Sequence, residues 1–150
     1  MAPDAGTVPS DRRRGLAWLL SLAGAIPFVT AALAQWLLPG HGFSQWAGQA
    51  ALLYGAIILA FLGGIHWGFG LQADSDAARR LAVSVLPALL GWLALLVQPG
   101  IGLLLLFAGF LGQFVTDLWL GLPRWFAWLR ATITVIVLAS LGLLAVIAWQ

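Results

Sequence analysis

Five long apolar segments dominate the sequence and restrict the chain to folds that exist in a lipid bilayer. Runs such as ALLYGAIILAFLGG lack the alternation of apolar and polar residues that the strands of a membrane barrel need. Each segment is about long enough to cross a hydrocarbon core of ~30 Å as a helix. We therefore predict an all-α polytopic membrane protein with five transmembrane helices in one bundle, at about 16–38, 48–71, 81–98, 101–120 and 129–149.

The composition agrees with this fold class. Hydrophobic residues make up 62% of the chain and charged residues 8%, whereas soluble domains are about 25% charged. We assign residues 1–15 to a flexible polar N-terminal tail and residues 16–150 to the transmembrane domain. Because the chain has no cysteine, disulfides, thiol nucleophiles and cysteine-ligated metals are excluded.

The arginines predict the orientation of the bundle. If the five spans are threaded alternately, all seven fall on one side of the membrane, namely Arg12, Arg13, Arg14, Arg79, Arg80, Arg124 and Arg130. The positive-inside rule then places the N-terminus on the cytoplasmic (or matrix-facing) side and the C-terminus outside. The high isoelectric point reflects few acids rather than a basic patch, so nucleic acid is not an expected partner.

One alternative concerns the first span. Three arginines, an apolar run and the sequence Ala32-Leu33-Ala34 resemble a secretory signal with its cleavage site. The apolar run is longer than the ~7–15 residues of a signal core. We therefore expect the segment to remain as a span.

The second span ends in FLGGIHWGFG, residues 61–70, which contains a GxxxG pattern. Gly64 and Gly68 form the pattern, and Gly63 and Trp67 lie beside them. Small residues at this spacing let two membrane helices approach closely. We predict that this helix-packing motif acts inside the bundle. A homodimer face, or a groove where a ligand meets bare backbone, is the alternative.

Three residues inside the spans carry structural expectations. Pro27 in the first span and Pro87 in the third each remove a backbone hydrogen bond, so both predict helix kinks. Trp92 lies near the middle of the third span, away from the membrane interfaces that tryptophan prefers. We expect Trp92 to pack between helices.

Polar side chains gather at one depth, near the arginine-bearing side. The candidates are His66, Asp117, Gln113, Arg130 and Ser84. Gln113 and Asp117 share a helix face because they are one turn apart. Since charged groups at membrane depth usually pair or face a cavity, we predict an Asp117–Arg130 pair and a hydrogen bond from His66 to Asp117 or Gln113. Structural polar contacts, a binding pocket and a proton relay all remain open as roles.

Other kinds of site are not indicated. A catalytic metal needs about three protein ligands, and the two histidines, His41 and His66, fall on opposite sides of the membrane. The same separation excludes bis-histidine haem ligation. Phosphate-binding and dinucleotide motifs are absent from the sequence. We expect no metal, no cofactor and no catalytic residues.

Three runs carry a family resemblance: AGAIPFVTAALAQWL, YGAIILAFLGGIHWGFG and SVLPALLGWLALL. Together they resemble the domain of unknown function family 3429, whose eukaryotic relatives are named transmembrane protein 69. The likeness covers about residues 16–149, and its family marks are Pro27, Gly63, Gly64, His66, Trp67, Gly68, Ser84 and Pro87. The resemblance implies a five-span protein of bacterial inner membranes and of mitochondria, and it implies no activity.

The functional expectation follows from short loops and the missing catalytic set. We expect a small non-enzymatic membrane protein, an accessory or assembly subunit of a larger membrane complex. The alternative is a binding or carrier protein for a small amphipathic molecule, a quinone or a lipid, at the polar cluster around His66. A third hypothesis is an intramembrane enzyme that uses His66 with Asp117. Besides the lipid bilayer, the expected partners are membrane proteins or a second copy of the chain.

Overall fold

Five helices make up the fold in the computed structural model, which describes residues 11–71, 77–119 and 123–149. All five are long and apolar enough to span a membrane. No strand occurs within the described ranges. The prediction of an all-α membrane bundle with five spans is confirmed. The helices are α1 (Asp11–Leu37), α2 (Gly42–Leu71), α3 (Ala77–Leu96), α4 (Pro99–Trp119) and α5 (Arg124–Ala148).

Every helix begins before its predicted boundary. The clearest case is α1, which starts at Asp11, so residues 11–15 are helical rather than part of the predicted tail; the rest of that tail lies outside the described residues. Hydropathy reports only the part of a helix that is apolar. Arginine is a good helix former, and an acidic residue in the first turn interacts favourably with the helix dipole, so α1 extends into the polar region.

Neighbouring helices in sequence run antiparallel. A Cβ atom at Gly24 would meet Tyr54, and one at Gly142 would meet Phe107. The resulting arrangement is a ring of α1, α2, α4 and α5, while α3 packs outside the ring against α2 and α4. Alternate threading brings all seven arginines to one end of the bundle, which we call the arginine-rich end.

The core lies inside the ring. Phe28 of α1 packs edge-on against Phe110 of α4, with ring centroids 5.8 Å apart. Such geometry is favourable for aromatic pairs. Ala32 and Ala34 are also buried, so the small residues that resemble a signal cleavage site serve to pack α1 against its neighbours.

Close backbone approach holds α3 on the ring. A Cβ atom at Gly63 of α2 would lie 2.5 Å from the backbone oxygen of Ser84 in α3, and one at Gly91 would lie 3.0 Å from that of Ala56. At 2.5 Å only glycine fits without displacing a helix, and at 3.0 Å a side chain would require the neighbouring backbone to move by a few tenths of an ångström. The side of α3 away from the ring faces outward, and α3 buries the smallest share of its apolar span.

The predicted packing role of Gly64, Gly68 and Trp67 inside the bundle is wrong. Gly64 and Trp67 are exposed, and a Cβ atom at Gly64 or Gly68 would meet no atom of another helix within 4 Å. The reason is one of helix phase: Gly63 faces α3, and the next residue is turned by about 100° from it. Of the predicted motif, Gly63 makes the close contact with α3.

The interior prolines and Trp92 have different outcomes. Both α1 and α3 continue through Pro27 and Pro87, and the predicted kinks at these residues remain predictions. Trp92 is 61% exposed on α3, so the expectation that it packs between helices is wrong. Because α3 lies outside the ring, a mid-helix side chain on its outer face meets lipid rather than protein.

Candidate functional site

Four of the five predicted polar residues meet near the arginine-rich end, and we call them the polar cluster: His66, Gln113, Asp117 and Arg130. The Nε2 atom of His66 lies 2.8 Å from Oδ1 of Asp117. Arg130 donates through Nε to the other carboxylate oxygen, Oδ2, at 2.6 Å. The cluster therefore connects α2, α4 and α5 through a single carboxylate.

Helix direction explains why these residues meet. α2 and α4 run parallel, so His66, near the end of α2, reaches the same depth as Asp117, near the end of α4. α5 starts at that end of the bundle, which brings Arg130 level with both. The spacing of Gln113 and Asp117 places both side chains on the face of α4 that is turned toward α2.

Gln113 fixes the hydrogen-bonding state of His66. Its Nε2 donates to the backbone oxygen of Leu62 at 3.3 Å and lies 3.0 Å from Nδ1 of His66. An amide nitrogen only donates, so Nδ1 is an acceptor and the ring proton is on Nε2, where it bonds Asp117. The same amide nitrogen also lies 3.2 Å from Nε2 of His66, a contact that carries no hydrogen bond in this tautomer because both atoms are then donors.

The polar cluster contains a charge pair. The carboxylate of Asp117 lies against the guanidinium of Arg130. Both side chains are largely buried, with 8% and 15% exposure. Because unpaired charge in the membrane is costly, this pairing lets the cluster persist inside the bundle.

Ser84 does not join the polar cluster. Its hydroxyl donates to the backbone oxygen of Leu81 at 2.7 Å, one turn earlier in α3. The predicted grouping is wrong for this residue. Ser84 is buried because α3 packs against α2 at Gly63. Its hydroxyl group has its hydrogen-bond partner within its own helix.

A groove of about 460 Å³ lies between α3 and α4 and reaches the polar cluster. Its walls are aliphatic, and its polar lining consists of His66, Gln113 and Thr116. We call it the α3–α4 groove. The aliphatic wall residues Val83, Leu86, Leu89 and Leu93 are exposed on the surface of the bundle, so the groove is open toward lipid.

Sequence reasoning missed the α4 wall of this groove. Ala108, Gly112 and Thr116 recur every four residues and line it. The signal available in the sequence was a stripe of small residues beside Gln113 in the fourth span. The packing prediction was based instead on the GxxxG pattern of the second span. Pro87, predicted only as a kink, also lines the groove.

The second histidine has a structural role at the opposite end of the bundle. Nδ1 of His41 accepts a hydrogen bond of 3.1 Å from the backbone N–H of Phe43 and so caps the start of α2. Within the described ranges, no three histidine or acidic side chains gather as metal ligands would. The polar cluster and the adjoining groove are therefore the best candidate site.

Comparison with known proteins decides the family. The family described as Protein of unknown function (DUF3429) matches residues 14–146. The chain belongs to the DUF3429 family. This match confirms the resemblance seen in the sequence, and it covers all four residues of the polar cluster and the whole lining of the α3–α4 groove.

Two curated relatives of this DUF3429 chain are vertebrate proteins. Transmembrane protein 69 of Xenopus tropicalis is 40% identical over 129 residues, covering 81% of the chain and 50% of the relative. Transmembrane protein 69 of Mus musculus is 33% identical over 153 residues, covering 89% and 60%. The chain thus spans between half and three fifths of the length of these relatives. No solved structure matches the chain.

Proposed function

We propose that this multi-pass membrane protein is a non-enzymatic binding protein for a small amphipathic molecule, a quinone or a lipid, held in the α3–α4 groove. The observation that carries the proposal is the groove itself, which has aliphatic walls and ends on the polar cluster. Its volume of about 460 Å³ falls in the range of ~300–1,000 Å³ of small-molecule sites. A ligand would lay its apolar body between the helices and its head against His66 and Gln113.

The state of the polar residues supports binding rather than catalysis. His66 engages Asp117 through Nε2 and Gln113 through Nδ1, and Asp117 uses one oxygen for His66 and the other for Arg130. A general base needs a free lone pair within reach of its substrate. In this arrangement both ring nitrogens of His66 are engaged, and each oxygen of Asp117 already has a partner, so we do not propose that this pair acts as an enzyme.

Filling the groove tests the proposal. Gly112 lines the groove, and a Cβ atom there would meet no atom within 4 Å, so we expect the side chain of Gly112→Leu to occupy ligand space. We expect wild-type protein purified in mild detergent to retain an amphipathic molecule, and Gly112→Leu to lose at least about nine tenths of it, because bound ligand and leucine compete for one volume. Mass spectrometry of the extracted small molecules measures the ratio.

Gly64→Leu is the matched control for this experiment. Gly64 has equally open space around its Cα but lies on α2, away from the groove. It should retain the molecule as the wild type does. Equal retention by Gly112→Leu, or a wild-type protein that carries no such molecule, would contradict the proposal.

An accessory or assembly role in a larger membrane complex is the second candidate, and the outward face of α2 favours it. Gly64 lies there between Phe61 and Trp67, which are 63% and 43% exposed. A small residue between two bulky ones makes a notch into which a helix of another membrane protein, or of a second copy, can pack.

The same two variants test this role with the opposite result. If α2 docks a partner, Gly64→Leu should reduce co-purification of that partner in mild detergent to under about one fifth, since a new side chain blocks close helix contact. Gly112→Leu should leave it unchanged. Quantitative mass spectrometry of the co-purified proteins measures this, and a chain that purifies alone and monodisperse in every preparation would count against the role.

The orientation and the compartment are part of the proposal. All arginines lie at one end of the bundle, and the positive-inside rule would place that end in the cytoplasm of a bacterial inner membrane. The N-terminus would then be cytoplasmic and the C-terminus outside. In this orientation the polar cluster and the polar end of the groove belong to the cytoplasmic leaflet.

A further inference from the structure

We infer that the ligand of the α3–α4 groove carries an uncharged hydroxyl group, an alcohol or a phenol, which donates a hydrogen bond at the polar end of the groove. The inference rests on the proposed binding function and deepens it by naming the head group. It comes from counting which hydrogen-bonding positions of the lining side chains are already used.

Every polar proton in the groove lining is engaged. The ring proton of His66 goes to Asp117. The two amide protons of Gln113 go to the oxygen of Leu62 and to Nδ1 of His66. The hydroxyl proton of Thr116 goes to the backbone oxygen of Gly112 at 2.9 Å. The lining therefore has no donor left to offer a ligand.

Acceptor positions remain open. No described residue donates to Oε1 of Gln113. Since Gln113 lines the groove and both of its amide protons are engaged, Oε1 is the hydrogen-bonding position that this side chain has left for a ligand. Thr116, which donates its only hydroxyl proton, keeps an oxygen lone pair. A head group that only accepts, such as a carbonyl or an ether, would find no partner there, whereas a hydroxyl would find two.

The charge of the surroundings selects a neutral donor. An ammonium group also donates, but it would bring a positive charge into an aliphatic groove. Asp117, the acidic group in contact with the groove residues, is already paired with Arg130. Desolvating a cation without a free carboxylate is costly. A hydroxyl meets the acceptors without that cost.

A pair of probes that differ in one hydrogen-bonding atom tests the inference. 4-Dodecylphenol and 4-dodecylanisole share an apolar body, but the methyl ether cannot donate. We expect wild-type protein in detergent micelles to bind the phenol about tenfold more tightly, the factor associated with about one hydrogen bond that water does not replace. Equilibrium dialysis measures both dissociation constants. A third probe, 1,2-dioctanoylglycerol, distinguishes an aliphatic alcohol from an aromatic one.

Two variants test whether the preference for the phenol over the anisole arises in the groove. Gln113→Met removes the acceptor while keeping the length of the side chain, and should bring the two affinities within about threefold of each other. Thr116→Val removes the second acceptor and leaves the polar cluster intact. It should also reduce the difference between the dissociation constants of the phenol and the anisole. The comparison on wild-type protein needs no variant and remains decisive if Gln113→Met does not fold.

The outcomes separate this inference from the proposed function. Equal binding of phenol and anisole, or tighter binding of the anisole, would overturn the hydroxyl assignment and leave the binding function standing. Loss of both probes in Gly112→Leu alone would show that they occupy the groove. If neither the phenol, the anisole nor the glycerolipid binds the wild-type protein, the binding function itself is wrong.

Discussion

Asp117→Ala is expected to lower the stability of the bundle more than any other substitution proposed for this chain. The carboxylate is the shared acceptor for His66 and Arg130, so its removal leaves a guanidinium and an imidazole N–H without their partner. Removing one member of a buried ion pair costs about 3–5 kcal/mol. We expect a correspondingly large fall in melting temperature, measured by thermal unfolding in detergent.

A double substitution separates the ion pair from the packing of the carboxylate. Arg130→Met removes the guanidinium that Asp117→Ala leaves unpaired. The double variant should therefore recover part of the fall in melting temperature caused by Asp117→Ala. His66→Ala is the matched comparison, because it keeps the Asp117–Arg130 pair and should cost less than Asp117→Ala. If Asp117→Ala melts like the wild type, the polar cluster does not stabilise the bundle and the charge pair described above is irrelevant to folding.

Gly63→Ala is expected to have the second largest effect. The added methyl group would lie 2.5 Å from the backbone oxygen of Ser84, and backbone cannot rotate away as a side chain does. Either α3 shifts outward or α2 bends. Overpacking of this kind costs about 1–3 kcal/mol, and an outward shift of α3 would also widen the groove that α3 forms with α4.

Gly64→Ala is the natural control, since it adds the same methyl group one residue later. Both substitutions gain the helix preference of alanine over glycine, about 1 kcal/mol, so this contribution cancels in the comparison. A Cβ atom at Gly64 would meet no neighbouring atom, and we expect its melting temperature to equal or exceed that of the wild type. Identical melting of the two variants would mean that α3 does not dock on Gly63.

The helices were predictable because the bilayer imposes their length. Twenty or so apolar residues in a row are required by the thickness of the hydrocarbon core, and nothing else in a sequence produces that pattern five times. The first residues of the helices were less predictable. Asp11 and Arg124 begin helices outside the apolar runs, where backbone hydrogen bonds continue although hydropathy has already fallen.

The polar cluster was largely predictable from depth. Counting residues from the helix ends brought His66, Asp117 and Arg130 to one level, and polar groups in lipid seek partners. Ser84 lies at a similar depth, but a serine can satisfy itself on the preceding turn of its own helix. Depth alone therefore does not tell which polar residues bond across helices and which do not.

Helix rotation was the part that the sequence left open. In water, apolar residues mark the inner face of a helix, but in lipid both faces of a membrane helix are apolar. Gly63 and Gly64 are adjacent and chemically identical, and only the packing of α3 distinguishes them. The α3–α4 groove could not be predicted for the same reason, because its walls consist of leucines and small residues that occur on every face of these helices.

The contact between Asp117 and Arg130 has a consequence for how the protein enters its membrane during synthesis. The two residues belong to successive helices and are 13 positions apart. When α4 emerges first, its carboxylate has no counter-ion, and an unpaired charge within a membrane span is costly. α5 brings the guanidinium that pairs with it. We therefore expect the hairpin of α4 and α5 to partition into lipid more readily than α4 alone.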